Sequence, residues 1–191
     1  KARSSTQWVV ENFGAAGALV LLAADSGTGK TTLMYQMAAA ISRGDTLMSQ
    51  LKTEQRRVLF IQADESCKNA ADKINLMGIN NKDMDFRFAE DGPRWGSLDI
   101  GVIADQIKLY KYGAIFMDSI TTLLSDHSMN DPDFAKPLYA LNRLAGDHNI
   151  LIVMSAHLRK PEAGQKRKEV NINDVLGSAT QAGAVSDIWG L

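Results

Sequence analysis

Four short apolar runs alternate with four amphipathic stretches along the chain, and this alternation restricts the possible folds more than any other feature of the sequence. The runs are rich in Val, Ile, Leu or Phe, and they cover residues 18–23, 58–63, 114–117 and 150–155. Apolar residues recur at helical spacing in residues 31–43, 66–77, 98–111 and 133–147. Such runs are typical of strands buried on both faces of a sheet. The sequence therefore predicts an α/β fold in which a mostly parallel, twisted sheet carries helices on both faces.

Local signals refine the ends of these elements. Gly78 and Gly113 follow two of the predicted helices and are expected to end them. The Asp-Pro-Asp sequence at residues 131–133 favours the start of the last helix. Residues 86–89 and 186–191 are candidates for two further short strands.

Composition indicates a globular chain with one hydrophobic core. With 191 residues, 45% of them apolar, the chain is long enough for one domain and too apolar to be disordered. Cys67 is the single cysteine, so a disulfide scaffold is excluded. The net charge of -1 argues against a globally basic nucleic-acid binder, although it leaves room for a local basic patch.

The sequence carries no signal for export or membrane insertion. No apolar run approaches the roughly 20 residues that a membrane-spanning helix needs, and no secretory signal peptide opens the chain. We therefore expect a cytoplasmic protein without a membrane partner. Because the chain begins at Lys1 rather than Met and ends on an apolar stretch, we also expect residues 1–191 to be a single domain taken from a longer protein.

The first apolar run leads into a loop with the spacing of a Walker A motif, and an amphipathic stretch follows the loop. The loop and the start of this stretch comprise Ala24, Asp25, Ser26, Gly27, Thr28, Gly29, Lys30, Thr31 and Thr32. A strand before the motif and a helix after it are the context that identifies a phosphate-binding loop. Ala24 stands where Gly is usual, but it is a small residue that suits the position.

The residue types of this loop match the chemistry of a nucleotide phosphate. Gly27 and Gly29 let backbone N–H groups turn toward a phosphate, and the N-terminus of the following helix adds its positive dipole. Lys30 is expected to pair with the β- and γ-phosphates, and the Thr31 hydroxyl to ligate Mg²⁺. A glycine-containing turn with an ordinary surface lysine is the alternative.

Carboxylates follow two of the other apolar runs. Asp118 ends a run as in a Walker B strand, where a carboxylate can hold the water shell of Mg²⁺ opposite Thr31. Asp64 and Glu65 end another run, where a carboxylate can act as general base on the attacking water. The alternative is a solvated acidic pair that caps the helix beginning at Ser66.

His157 follows the fourth apolar run. The end of the strand that comes after Walker B is a position suited to sensing a γ-phosphate, and an imidazole can donate a hydrogen bond to it. A structural or surface role is the alternative. His127 and His148 lack a comparable setting, and we expect them at the surface.

In this order the motifs resemble those of the RecA-like ATPases, above all the RepA-type hexameric replicative helicases, with DnaB-type helicases and KaiC-type ATPases nearby. The resemblance covers nearly the whole chain. It includes an aromatic lead-in at residues 5–13, a strand with the acidic pair at 58–66 and the sensor histidine at 155–157. A Gly-Ser segment at 177–179 and a closing strand at 185–188 complete it.

The resemblance implies a RecA-like domain that hydrolyses ATP with Mg²⁺ as the motor of a ring-forming replicative DNA helicase or related DNA-handling ATPase. It also implies a homo-oligomer, either a hexameric ring or a filament. The alternative is a nucleotide-gated switch or assembly ATPase of KaiC or recombinase-mediator type, which does not unwind DNA. An ATP-binding module without turnover is a third reading.

Two features depart from the family pattern. Asp64 stands where the family has its catalytic Glu, so the base is either Asp64 or Glu65, with a slight preference for Glu65. RecA-like hexamers also place an Arg or Lys of one subunit against the γ-phosphate of its neighbour. Residues 174–188, where helicases of this group commonly carry that cation, contain neither Arg nor Lys.

A basic segment at residues 158–168 holds five cations against one acid, a local charge of +4. The cations are Arg159, Lys160, Lys166, Arg167 and Lys168. The family resemblance implies that a loop in this position faces the channel of a ring and contacts the phosphates of single-stranded DNA. The same cations are the candidates for the missing finger. A solvated surface loop is the alternative.

Overall fold

The computed structural model describes residues 6–80, 82, 84–125, 134–158, 175 and 183–191. Within these residues the strands are β1 (Trp8–Val10), β2 (Gly14–Ala15), β3 (Leu19–Ala24), β4 (Thr46–Leu47), β5 (Leu51–Lys52), β6 (Val58–Gln62), β7 (Asp85–Phe88), β8 (Ala114–Asp118), β9 (Leu151–His157) and β10 (Asp187–Gly190). The helices are α1 (Lys30–Arg43), α2 (Cys67–Leu76), α3 (Pro93–Gly96), α4 (Ile100–Tyr110), α5 (Ile120–Leu123) and α6 (Ala135–His148), and Ala89–Asp91 forms a 3-10 turn.

Six of these strands form one parallel sheet in the order β10-β3-β9-β8-β6-β7. The predicted α/β class with a parallel sheet is therefore confirmed. Gln62 at the end of β6 lies beside Asp118 at the end of β8, and Ala24 at the end of β3 lies beside His157. The carboxyl ends of four strands thus meet at one edge, which is where open α/β sheets bind their ligands.

Helices cover both faces of the sheet, as predicted. Successive side chains of a strand point to opposite faces. In β3, Leu19 and Leu21 accordingly pack in the core that includes residues of α4 and α6. Val20 and Leu22 pack in a second core with residues of α1 and α2. The central strands β3, β6, β8 and β9 are mostly apolar because both of their faces are buried.

The glycine signals have different outcomes. Gly78 follows the C-terminal end of α2 with a φ of 65°, as expected of a residue that ends a helix. The prediction for Gly113 is wrong, because α4 ends at Tyr110 and its C-cap residue, Lys111, itself takes the left-handed conformation. Gly113 is instead a close-packing position, where an added Cβ would lie 2.9 Å from Cβ of Arg56. The predicted helix start at residues 131–133 lies outside the described residues.

Two small hairpins, β1–β2 and β4–β5, were not expected from the sequence. Their strands have two or three residues each, too few to show a period of two. Among the residues that the structure describes, none of the helices is both long and apolar enough to cross a lipid bilayer.

Candidate active site

The loop between β3 and α1 has the backbone of a phosphate-binding loop. Gly27 and Gly29 have φ angles of 78° and 94°, in the left-handed region that favours glycine. Gly29 is the N-cap of α1 and has no side chain, so no side-chain oxygen caps the first N–H groups of this helix. The helices α2 and α4, by contrast, are capped by Ser66 and Asp99. The N-terminus of α1 therefore keeps N–H groups for an anion.

Lys30 lies across this loop with its ammonium group turned back onto it. The side chain is buried, and Nζ donates hydrogen bonds of 2.9 Å to the carbonyl oxygens of Ala24 and Asp25. Burial lowers the pKa of Lys30, and the nearby carboxylates of Asp118, Asp25 and Asp64 oppose this shift. A buried cation held by the loop is well suited to meet a phosphate.

Thr31 and Asp118 meet at the predicted metal position. The Thr31 hydroxyl donates a 2.6 Å hydrogen bond to Oδ2 of Asp118. Oδ1 of Asp118 accepts a hydrogen bond from the hydroxyl of Ser155, which lies on the neighbouring strand β9. A hydroxyl and a carboxylate are oxygen ligands of the kind that Mg²⁺ prefers.

This donor set fits magnesium bound together with a nucleotide. Among the described residues, no group of three or more His, Cys, Asp and Glu side chains could hold a metal ion. Mg²⁺ commonly takes one or two protein ligands and completes its shell with water and substrate phosphates. Thr31 and Asp118 would hold it in this way, beside the phosphate loop.

Asp64 projects from the turn after β6 toward the same place. Oδ1 accepts a 2.8 Å hydrogen bond from the hydroxyl of Ser119 and another from Thr122. Oδ2 lies 3.7 Å from Nε2 of His157 and accepts no hydrogen bond from the described residues. One oxygen of Asp64 is thus fixed by hydroxyls, and the other faces the predicted sensor.

Glu65 is more enclosed, and both of its oxygens are engaged. Oε1 accepts hydrogen bonds of 2.8 Å from the Tyr35 hydroxyl and 3.2 Å from Nε2 of Gln62. Oε2 forms an ion pair with Lys73 of α2. The side chain of Glu65 is 13% exposed, compared with 31% for Asp64. Burial raises the pKa of Tyr35, so its hydroxyl keeps its proton and donates a hydrogen bond to the carboxylate of Glu65.

One cavity of about 380 Å³ brings these groups together. Its lining consists of Ser26, Gly27, Gly29, Lys30, Thr31, Thr32, Asp64, Glu65, Lys73, Asp118 and His157. A larger cavity, of about 720 Å³, lies between α2 and β7, and the phosphate loop and Asp118 are not part of its lining. The predicted phosphate-loop, metal and acidic residues therefore line the smaller cavity.

Two more residues of the predicted loop, Ala24 and Thr28, support its shape. Ala24 ends β3 and is buried, and its carbonyl is one of the two partners of Lys30. Thr28 donates a 2.8 Å hydrogen bond through its hydroxyl to the carbonyl of Asp25.

The five predicted cations, Arg159, Lys160, Lys166, Arg167 and Lys168, lie outside the described residues, as does the Gly-Ser segment at 177–179.

Sequence reasoning missed six residues that support the site. They are Tyr35, Gln62, Lys73, Ser119, Thr122 and Ser155. Gln62 and Ser155 carry a signal in the sequence, because each is a polar residue within a predicted apolar run. Both are fully buried in the structure, where such residues need hydrogen-bond partners. Tyr35 and Lys73 lie on amphipathic helices, where a polar group carries no such signal.

Together, the fold and this site define a RecA-like P-loop ATPase domain. The chain belongs to the AAA_25 family of AAA domains, whose model matches residues 1–163. It is 26% identical over 166 residues to the DNA repair protein RadA of Bacillus subtilis (strain 168), an alignment that covers 84% of this chain and 32% of RadA. The chain therefore spans about a third of the length of this curated relative. The narrower resemblance to RepA-type helicases stays a prediction.

Proposed function

We propose that the chain hydrolyses Mg-ATP as the motor domain of a homo-oligomeric, DNA-handling assembly, a ring-forming replicative helicase or a related ATPase, in the cytoplasm. The observation that carries the proposal is the convergence of Lys30, Thr31, Asp118, Asp64 and His157 on one cavity. The name of its relative RadA, a DNA repair protein, supports a role on DNA.

In the proposed mechanism, each of these side chains has one task. Lys30 and the N–H groups at the start of α1 bind the phosphate oxygens and stabilise charge that develops there. Thr31 and Asp118 hold Mg²⁺, which when bound neutralises charge on the phosphate oxygens. His157 donates a hydrogen bond to the γ-phosphate and so reports its presence. Each task follows from the chemistry of the group and its position in the cavity.

For the general base, we propose Asp64 in preference to Glu65. The base must accept a proton from the attacking water, so it needs an oxygen that no hydrogen-bond donor of the described residues already engages. Oδ2 of Asp64 meets this requirement, whereas Tyr35 and Lys73 engage the two oxygens of Glu65. This reverses the slight preference that the sequence gives to Glu65.

The position of Asp64 in the same cavity as the phosphate loop supports turnover over nucleotide binding alone. The main alternative is a switch or assembly ATPase of KaiC or recombinase-mediator type, whose hydrolysis controls partner binding. One observation favours it: the match to RadA, which is named as a repair protein. The RepA-type resemblance favours the motor.

The rate of ATP hydrolysis with and without single-stranded DNA, measured together with the mass of the assembly, tests these functions. A six-subunit species with strong stimulation by DNA is expected of the motor. Slow hydrolysis at the same rate with and without DNA would favour the switch or assembly ATPase. Nucleotide binding without turnover would contradict the proposal that the chain hydrolyses ATP.

Lys30→Ala is the internal control for this assay. Removing the cation should abolish hydrolysis while the fold, followed by circular dichroism, stays intact. Hydrolysis that persists in this variant would show that the activity does not come from the cavity described above.

A further inference from the structure

Gln62 is a buried polar residue that lies between Asp118 and the turn that carries Asp64 and Glu65. It is the last residue of β6, its side chain is fully buried, and it does not line the nucleotide cavity. A buried amide costs free energy unless its hydrogen bonds are made. Its contacts therefore explain why a polar residue ends this strand.

The amide oxygen of Gln62 holds the turn that carries the acidic pair. Oε1 accepts hydrogen bonds from the backbone N–H groups of Asp64 and Glu65, at 2.9 and 3.3 Å. A turn held at two consecutive N–H groups fixes the direction in which both side chains leave the backbone.

The amide nitrogen of Gln62 faces three oxygen atoms. Nε2 lies 3.0 Å from the hydroxyl of Tyr35, 3.2 Å from Oε1 of Glu65 and 3.3 Å from Oδ2 of Asp118. The opposite orientation of the amide would set its oxygen against two carboxylates and its NH₂ group against two N–H donors. One orientation alone satisfies all of these groups.

Tyr35 connects this arrangement to the helix of the phosphate loop. Its hydroxyl donates to Oε1 of Glu65 at 2.8 Å and accepts from Nε2 of Gln62. The ring packs against Phe60, with 4.6 Å between the ring centroids, so the side chain is held in place. A buried and fully satisfied network of this kind specifies one geometry.

We propose that Gln62 is a positioning residue for ATP hydrolysis, which with Tyr35 fixes the Asp64–Glu65 turn relative to Asp118. This inference rests on the proposed function. Gln62 has no contact with the cavity, so it acts through the carboxylates that it holds. Partners of metal-ligating residues commonly contribute about 10–100-fold to metal affinity or activity.

Two substitutions remove these contacts with little change of shape. Gln62→Met keeps the length of the side chain and loses both the donor and the acceptor, and Tyr35→Phe loses only the hydroxyl. Gln55→Met is the matched control, because Gln55 is exposed and its Nε2 contacts only the carbonyl of Ser42 among the described residues.

Turnover per nucleotide-binding site is the first measurement, since titration of the sites removes any effect of misfolded protein. We expect a fall in kcat of about 10–100-fold for Gln62→Met and a smaller fall for Tyr35→Phe. The Kd of a non-hydrolysable ATP analogue should stay within about twofold, because the phosphate loop is untouched. The double variant should lose no more than Gln62→Met alone, since both residues act in one network.

Amide hydrogen exchange in the nucleotide-free protein is the second measurement and is independent of activity. The N–H groups of Asp64 and Glu65 should exchange about fivefold faster in Gln62→Met, as expected for the loss of a hydrogen bond worth about 1 kcal/mol. Gln55→Met should leave them unchanged, and Tyr35→Phe should change them less than Gln62→Met does, because Tyr35 bonds the side chains of Glu65 and Gln62 and not these N–H groups.

The inference is overturned if the wild-type protein hydrolyses ATP and Gln62→Met and Tyr35→Phe do so at the wild-type rate per site. It is also overturned if kcat and analogue affinity fall in proportion, which would indicate general damage to the site. Absence of hydrolysis by the wild-type protein would instead overturn the proposed function, and this inference with it.

Discussion

The hydroxyl of Thr31 donates a 2.6 Å hydrogen bond to Oδ2 of Asp118, and this contact joins the first turn of α1 to the end of β8. The two residues are far apart in the sequence, and the sheet brings them together because β3 and β8 both flank β9. The contact sets a hydroxyl and a carboxylate side by side at the mouth of the phosphate loop.

Removal of either side chain should weaken magnesium binding. We expect Thr31→Ala and Asp118→Asn to lower kcat by about 100-fold or more, since a metal ion contributes several kcal/mol of charge stabilisation. The concentration of Mg²⁺ that gives half-maximal hydrolysis should rise in both variants. Thr31→Ser, which keeps the hydroxyl, should recover most of the loss; a Thr31→Ser protein as defective as Thr31→Ala would argue against a hydroxyl ligand.

The two acids should differ in their contribution to the chemical step. Asp64→Asn should lower the single-turnover rate by about 10²–10⁴-fold, as expected when a general base is lost. Glu65→Gln keeps its shape and can still accept from Tyr35, so its rate should fall much less. Nucleotide affinity should be near the wild-type value in both. The opposite ranking of the two variants would identify Glu65 as the base.

The basic segment at residues 158–168 should give DNA binding a measurable salt dependence. If about three of its five cations meet phosphates, the logarithm of the affinity should fall with the logarithm of salt at a slope of roughly -2 for single strands. Joint replacement of Lys166, Arg167 and Lys168 by Ala should flatten this slope.

A charge-matched control separates that effect from net charge. Lys52, Lys82 and Lys108 are exposed elsewhere on the domain, and their joint replacement by Ala should leave the slope unchanged. An affinity for single-stranded DNA that does not respond to salt, or no affinity, would remove the DNA-binding proposal.

Two glycines should respond to alanine in opposite directions. At Gly113 an added Cβ would lie 2.8 Å from Cδ and 2.9 Å from Cβ of Arg56, so Gly113→Ala should cost about 1–3 kcal/mol of stability. Gly146 lies near the end of α6 with no atom within 4 Å of an added Cβ, and Gly146→Ala should add about 0.5–1 kcal/mol. Urea denaturation measures both, and equal midpoints for the two variants would contradict the packing at Gly113.

The elements and the phosphate loop could be predicted from the sequence because their signals are local. A strand buried on both faces is apolar throughout, and a helix repeats its apolar residues every three or four positions. The predicted strand at residues 58–63 and β6 therefore agree to within one residue. Gly27, Gly29 and Lys30 could be identified for the same reason, since their spacing between a strand and a helix is itself the motif.

The relations among Asp64, Glu65 and Gln62 were decided by the tertiary structure. The sequence identifies an acidic pair after an apolar strand, and it cannot say which acid keeps an oxygen that accepts no hydrogen bond from the described residues. That depends on the order of strands, which sets Gln62 beside Asp118, and on Tyr35 and Lys73, which approach from helices on either side of the turn in the chain. Contacts between distant segments leave no periodic signal in the sequence, because they arise only when the sheet has aligned the ends of its strands.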